Sequence, residues 1–139
     1  HGRVTAGNAS PLTDGATVSM LASADAAKEL GLTTKMRLVS FAFAGVAPEV
    51  MGIGPIPSTE KALAKAGLSI DDIGLFELNE AFAVQVLSFL DHFGVDDEDP
   101  RQFEEHPEVW YGLTAMCVGL GQGGTVIWEN PHYTGKKKK

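Results

Sequence analysis

Residues Met36 to Phe43 alternate with a period of two. Arg37, Val39, Phe41 and Phe43 fall on one side and Leu38, Ser40 and Ala42 on the other, which predicts a strand. Ile73–Leu78, Tyr111–Val118 and Thr125–Trp128 read as three further short strands. The last two flank the run Gly119–Gly124, so they form an antiparallel hairpin around a glycine loop. Helical spacing takes over at Phe82, Val86, Phe89 with Leu90, and Phe93, and Gly94 ends that run. Asn79 suits the N-cap of this helix, with Glu80 at its positive end. A second helix is expected from a Ser58 cap to Ala66, closed by Gly67. A third, Ala24–Leu30, has Ser23 as cap, Asp25 in its first turn, Lys28 near its end and Gly31 after it. Ser69 with Asp72 forms a capping-box turn. Ala16–Leu21 suits either a strand or the start of a helix, and Asp96–Asp99 an acidic surface turn. Helices alternate with strands and a hairpin follows, which gives an α/β fold.

Punctuation separates two segments from these elements. Thr5 to Pro11 is small, polar and turn-rich, as a loop requires. Gly45, Pro48, Gly52, Gly54, Pro55 and Pro57 mark a loop longer than a mere connector, the kind that often carries function. The chain has 139 residues, 44% hydrophobic and 21% charged, the size and balance of one ordinary globular domain. No apolar stretch is long enough to span a bilayer, and no basic, then apolar, leader opens the chain. A soluble, cytoplasmic protein is the expectation. The net charge of −7 argues against nucleic acid as a partner. The basic cluster Lys136–Lys139 reads as a solvated tail.

The single cysteine, Cys117, excludes a disulfide framework and a cysteine-rich metal site. Gly119-Leu120-Gly121-Gln122-Gly123-Gly124 matches G-x-G-x-x-G formally. A dinucleotide site needs a helix next, whose N-terminus holds the pyrophosphate, and here a strand follows. A hairpin turn needing positive φ is one reading of the glycines. In another, Cys117 ends its strand against backbone N–H groups that lower the cost of a thiolate and act as oxyanion donors. A buried structural cysteine remains the alternative. Glu77-Leu78-Asn79-Glu80-Ala81-Phe82-Ala83 stands at a strand-to-helix junction, a common ligand site in α/β sheets, although helix capping alone also explains it. His1, His92, His106 and His132 have no metal-ligand spacing, so no metal is expected. A Cys117/His132 dyad is disfavoured by the place of His132 beside Pro131 in the terminal tail.

Taken together these segments resemble the thiolase family. Thr5-Ala6-Gly7-Asn8-Ala9-Ser10 with Asp14-Gly15-Ala16 carries the resemblance first. Met51-Gly52-Ile53-Gly54-Pro55, the Asn79-Glu80-Ala81-Phe82 segment and Cys117-Val118-Gly119-Leu120-Gly121-Gln122-Gly123 follow in the family's order. The resemblance covers nearly the whole chain apart from the lysine tail. It implies an acyl-CoA C-acyltransferase that cleaves 3-ketoacyl-CoA with CoA, or runs the reverse Claisen condensation. No cofactor is implied, coenzyme A being a substrate. Cys117 would be the acid/base cysteine and the Gly119 N–H an oxyanion donor. Asn79 would hold a water at a second oxyanion site. Phe82 would line the pocket, Ser10 would lie beside the pantetheine and Met51 would border the acyl group. Acyl-CoA and CoA are the implied ligands, with a homo-oligomer, fatty-acid β-oxidation and a possible hydratase/dehydrogenase subunit as family settings.

Two departures stand against that pattern. Thiolases carry their nucleophilic cysteine in an N-terminal half, and the chain starts near the end of that half. They also carry a Gly-His-Pro motif before the cysteine strand, whereas here Asp99-Pro100-Arg101 runs straight into Gln102-Phe103-Glu104-Glu105. His106-Pro107 lacks the surrounding glycines and is no substitute. The resulting division is 1–32 as the end of the N-terminal thiolase half, 33–135 as the C-terminal domain, shortened between 101 and 102, and 136–139 as tail. Alone, such a chain is expected to be inactive. The rival reading is a non-catalytic thiolase-fold module that binds acyl-CoA or a protein partner.

Overall fold

A computed structural model describes residues 2–96 and 109–135. The expected acidic turn beyond Asp96, the junction of 101 with 102, His106-Pro107 and the lysine tail fall outside these residues. Four strands form one mixed sheet in the order β1-β4-β3-β2. They are β1 (Arg37–Gly45), β2 (Ile73–Leu78), β3 (Tyr111–Val118) and β4 (Gln122–Glu129). β4 pairs antiparallel with β1 and β3, while β2 runs parallel to β3 at one edge. The described helices are α1 (Ala24–Glu29), α2 (Pro55–Ala66) and α3 (Ala83–Phe93).

The alternation of β1 is real, and it is the small side that faces the core. Ser40, Ala42 and Ala44 are buried while Phe41 and Phe43 are 49% and 74% exposed. Small residues let α2 approach the sheet closely, and Ser40 Oγ donates to Ala62 O at 2.7 Å. Ser58 and Thr59 on α2 meet Thr125 on β4 through hydroxyl contacts of 2.7 and 3.0 Å. Around them Ala42, Ala62, Leu63, Ile73, Phe76, Phe89, Leu113, Ala115 and Ile127 make one apolar core. Phe76 and Phe89 stack edge-on at 6.4 Å across the β2–α3 contact.

Three boundaries differ from those the sequence suggests. α2 starts at Pro55, not after Ser58, because a proline at the first helical position loses no hydrogen bond there. Ser58 is therefore buried inside the helix, its hydroxyl bonded to Pro55 O and Thr125. Asn79 does not cap α3. The parallel ladder runs on past β2, with Asn79 N–H donating to Ala115 O at 3.0 Å, and Phe82 takes the N-cap position with φ −144°. β4 starts at Gln122, so the turn is only residues 119–121, with Leu120 and Gly121 at φ 68° and 84°. Gly123 pairs within β4 with Ala44 and Cys117, and it is a glycine because the backbone of Gly54 sits directly where a Cβ would be.

α1 forms as expected, with Ser23 Oγ accepting from Ala26 N at 3.2 Å. Ala16–Leu21 adopts neither a strand nor a helix, and Val18, Met20 and Leu21 are each at least 78% exposed. No described residue packs over them, so their apolar character stabilises nothing here. No helix among the described residues is long and apolar enough to cross a membrane.

Candidate functional site

Because β2 and β3 are parallel neighbours, their carboxyl ends lie side by side. Ligand sites favour such a place in α/β sheets. The turn bearing Asn79 leaves β2 there, and Cys117 lies near the end of β3. Leu113, Ala115 and Cys117 alternate onto the helix-covered face, where each is nearly inaccessible. α3 starts from the same end, and its first turn places Gln85 over the strand ends. Gln85 is 3% exposed.

Gln85 joins the pieces. Its Oε1 accepts from the Cys117 thiol at 3.4 Å and from Ala81 N–H at 3.2 Å. Its Nε2 donates to Asn79 O at 2.9 Å. Ala81 O in turn accepts from Ser10 N–H at 3.0 Å, and Ala9 forms an isolated bridge with Phe82. From the other side comes the 3-10 turn Pro48–Ile53, which carries Met51. A Cβ on Gly52 would stand 3.5 Å from Gln85 Cβ. Gln85 thus joins the end of β3 and the Met51 turn to its own neighbouring 79–82 turn, and that turn holds the Ser10 segment. Cys117, Asn79, Phe82, Ser10 and the Met51 turn are so brought into one neighbourhood.

Gly119 lies two residues beyond Cys117 in the exposed turn, with open space on its Cα. The cysteine itself behaves differently from the sequence-based expectation of an easily formed thiolate. Burial raises its pKa above the ordinary value of 9.0, with an opposing backbone hydrogen bond the smaller effect. At neutral pH Cys117 is a thiol, able to give a proton.

The histidines lie elsewhere. His92 on α3 pairs with Glu60 on α2 at 2.9 Å. His132 Nε2 meets Thr34 O at 2.8 Å, and the preceding Asn130 N–H binds Trp110 O at the start of β3. It is therefore at the opposite end of the sheet from Cys117, and no dyad forms. That end also holds a cavity of about 380 Å³ on the uncovered face, bordered by Met36, Leu75, Trp110, Thr114 and Trp128. None of the six residues singled out from the sequence borders it. No group of three or more metal-ligating side chains occurs among the described residues.

Gln85 itself escapes a sequence reading built on apolar spacing. Its signal is faint but present: one amide within Val84-Gln85-Val86-Leu87, four residues before the core residue Phe89. An amide on the buried stripe of a helix must find partners.

The family model for the C-terminal domain of thiolase matches residues 32–102. The chain belongs to the thiolase family. Among curated thiolases, the 3-ketoacyl-CoA thiolase of Photobacterium profundum is 42% identical over 156 residues, covering 93% of this chain and 40% of that protein. The 3-ketoacyl-CoA thiolase of Idiomarina loihiensis is 41% identical with the same coverage. The crystal structure of human mitochondrial 3-ketoacyl-CoA thiolase superposes with a TM-score of 0.71 at 32% identity, over 79% of this chain and 34% of that one. The acetyl-CoA acetyltransferase of Bacillus anthracis gives a TM-score of 0.69 at 32% identity, covering 78% and 34%. This thiolase chain thus spans about 40% of the length of the curated relatives it matches. The aligned stretch of 156 residues exceeds its own 139, so the relatives carry residues that it lacks within the matched region.

Proposed function

We infer that the chain is the C-terminal portion of an acyl-CoA C-acyltransferase, one that cleaves 3-ketoacyl-CoA with CoA or runs the reverse condensation. The observation that carries this reading is the buried Cys117 thiol at the shared end of β2 and β3, in a chain so similar to 3-ketoacyl-CoA thiolases. In the thiolytic direction a nucleophilic cysteine from outside this chain attacks the 3-keto carbon. The bond between C2 and C3 breaks, and its electron pair goes to C2. Cys117 gives its proton to C2, releasing acetyl-CoA and leaving the remaining acyl group on the outside cysteine. The Cys117 thiolate then takes the proton of the incoming CoA thiol, whose sulfur attacks the acyl-enzyme, frees that cysteine and releases the shortened acyl-CoA. A thiol protonated at rest is suited to giving a proton in the first half-reaction, and the similarity to 3-ketoacyl-CoA thiolases supports a setting in fatty-acid β-oxidation.

The remaining roles are those that the family resemblance implies. The Gly119 N–H stabilises the negative charge on the acyl-enzyme oxygen, and Asn79 holds a water at the second oxyanion site. Phe82 and Met51 border the acyl chain, and Ser10 lies beside the pantetheine. The nucleophile and the Gly-His-Pro histidine belong to polypeptide that these 139 residues do not include, the second to a stretch lost between 101 and 102. The end of the family match at residue 102 supports placing the loss there.

The test is cleavage of acetoacetyl-CoA in the presence of CoA. The 139-residue chain alone is expected to be inactive. A longer polypeptide that supplies the nucleophile is expected to turn over, and Cys117→Ala is expected to reduce its kcat by about 10²–10⁴-fold. Full turnover by Cys117→Ala would remove Cys117 from the reaction. The second reading, a non-catalytic module, draws on the presence of one cysteine only. Tight CoA binding without turnover in every longer form would favour it.

A further inference from the structure

We propose that Gln85 is a positioning residue for Cys117, fixing the thiol against the strand-to-helix turn that bears Asn79. The proposal rests on the acyltransferase reading for its purpose, and on geometry for its substance. Gln85 is almost wholly buried and each of its polar atoms is used. Its Oε1 accepts both the Cys117 thiol and Ala81 N–H, while its Nε2 holds Asn79 O. The backbone of residues 79–81 and the sulfur are thereby tied to one rigid amide on the first turn of α3. A proton donor has to stand close to the carbon it serves, with its S–H direction controlled. The Gln85 carbonyl orients the S–H bond of Cys117 and also keeps the proton on sulfur until a stronger acceptor arrives.

The role differs from plain helix capping. Gln85 satisfies the N–H of Ala81, which precedes the N-cap Phe82, and an amide that only tied that turn to the helix would leave the sulfur indifferent to its removal.

The single cysteine makes the test direct, because the chain has one S–H bond. Raman spectra of the full 139-residue chain at pH 7 read its stretching frequency. In the unaltered chain the band is expected at the lowered frequency of a donating thiol. In Gln85→Leu and Gln85→Ser, neither of which can reach the sulfur with an acceptor, it is expected to rise to that of a free thiol. Gln85→Glu retains an acceptor oxygen and is expected to keep the lowered band. Circular dichroism identifies the folded variants, and either of the first two suffices. An unchanged band in a folded Gln85→Leu or Gln85→Ser overturns the proposal. In a longer, active polypeptide Gln85→Leu is expected to lower kcat by about 10- to 100-fold with little change in KM. A loss confined to KM would also overturn it. The Raman result requires no turnover, so a shifted band in a protein that never transfers acyl groups would sink the acyltransferase reading and leave the Gln85–Cys117 link standing.

Discussion

The two faces of the sheet are built on opposite rules. Under α2, β1 and its neighbour β4 offer small and hydroxyl-bearing residues, Ser40, Ala42, Ala44 and Thr125, while Phe76, Leu113 and Ile127 of the same face and Phe89 of α3 fill the rest of the core. The other face presents Phe41, Phe43, Met116 and Val118, each at least 43% exposed. In an isolated globular domain the large apolar residues would be the ones inside. The contrast teaches that residue size alone does not mark the core. Closeness of approach decides the covered face beside α2, while the uncovered one bears large apolar side chains that stay about half or more in water. The chain's coverage of about 40% of its curated relatives is in keeping with that imbalance.

The sharpest way to test the contrast is to cut into the covered face. Phe89 is 1% exposed and touches Phe76 and Phe93, so Phe89→Ala is expected to cost about 3–5 kcal/mol in urea unfolding, enough to abolish cooperative folding of a marginal chain. Thr125→Val keeps the shape but leaves the Ser58 and Thr59 hydroxyls short of a partner, with an expected loss of about 1–3 kcal/mol by the same measurement. If instead Thr125→Val proved stabilising, the hydroxyl cluster would count as a burden on that face.

Alkaline pH probes the same face more gently. Burial raises the Cys117 pKa above 9.0, and burial followed by repulsion from Glu129 raises that of Tyr111 above 10.0. In each case the folded chain holds its proton longer than the unfolded one. Their contribution is therefore present below about pH 9 and is lost as the pH rises through the raised values. The expected result is a fall in thermal midpoint above pH 9 that is shallower in Cys117→Ala. The smallest effect belongs to the uncovered face. Phe43→Ser is expected to change stability by less than about 0.5 kcal/mol while improving solubility. A loss comparable to that of Phe89→Ala would show that the face is covered in solution.

Much of this architecture is legible in the sequence. The strands β1, β2 and β3 and the ends of α2 and α3 at Gly67 and Gly94 follow from local alternation and from the need for a left-handed residue, and both glycines have positive φ. The family's segments also come together, since Ser10, Phe82 and Cys117 are joined through residues 9–10, 81–82 and 85. What escaped depends on contacts between distant segments. Asn79 looks like a cap until β3 draws it into the ladder at Ala115. Gly123 looks like turn until α2 settles on it. Gln85 has no local signature beyond its polarity, because its role shows only when β3 brings Cys117, 32 residues on, against an amide that also holds the nearby 79–81 turn. The exposed stretch Ala16–Leu21 failed for the opposite reason, as an apolar pattern alone supplies no partner to pack against.

The meeting of Gly54 with Gly123 has a consequence for how this chain tolerates change. A Cβ at position 54 would stand 2.7 Å from Gln122 O, and one at 123 would strike the Gly54 backbone. Every amino-acid replacement that a single base change can make in a glycine codon adds a Cβ. In a library of random point variants screened for folded product, both positions would therefore empty almost completely, whatever the incoming chemistry. Repair by a second substitution nearby would be ineffective, since the obstruction is main chain that no replacement of a side chain can remove.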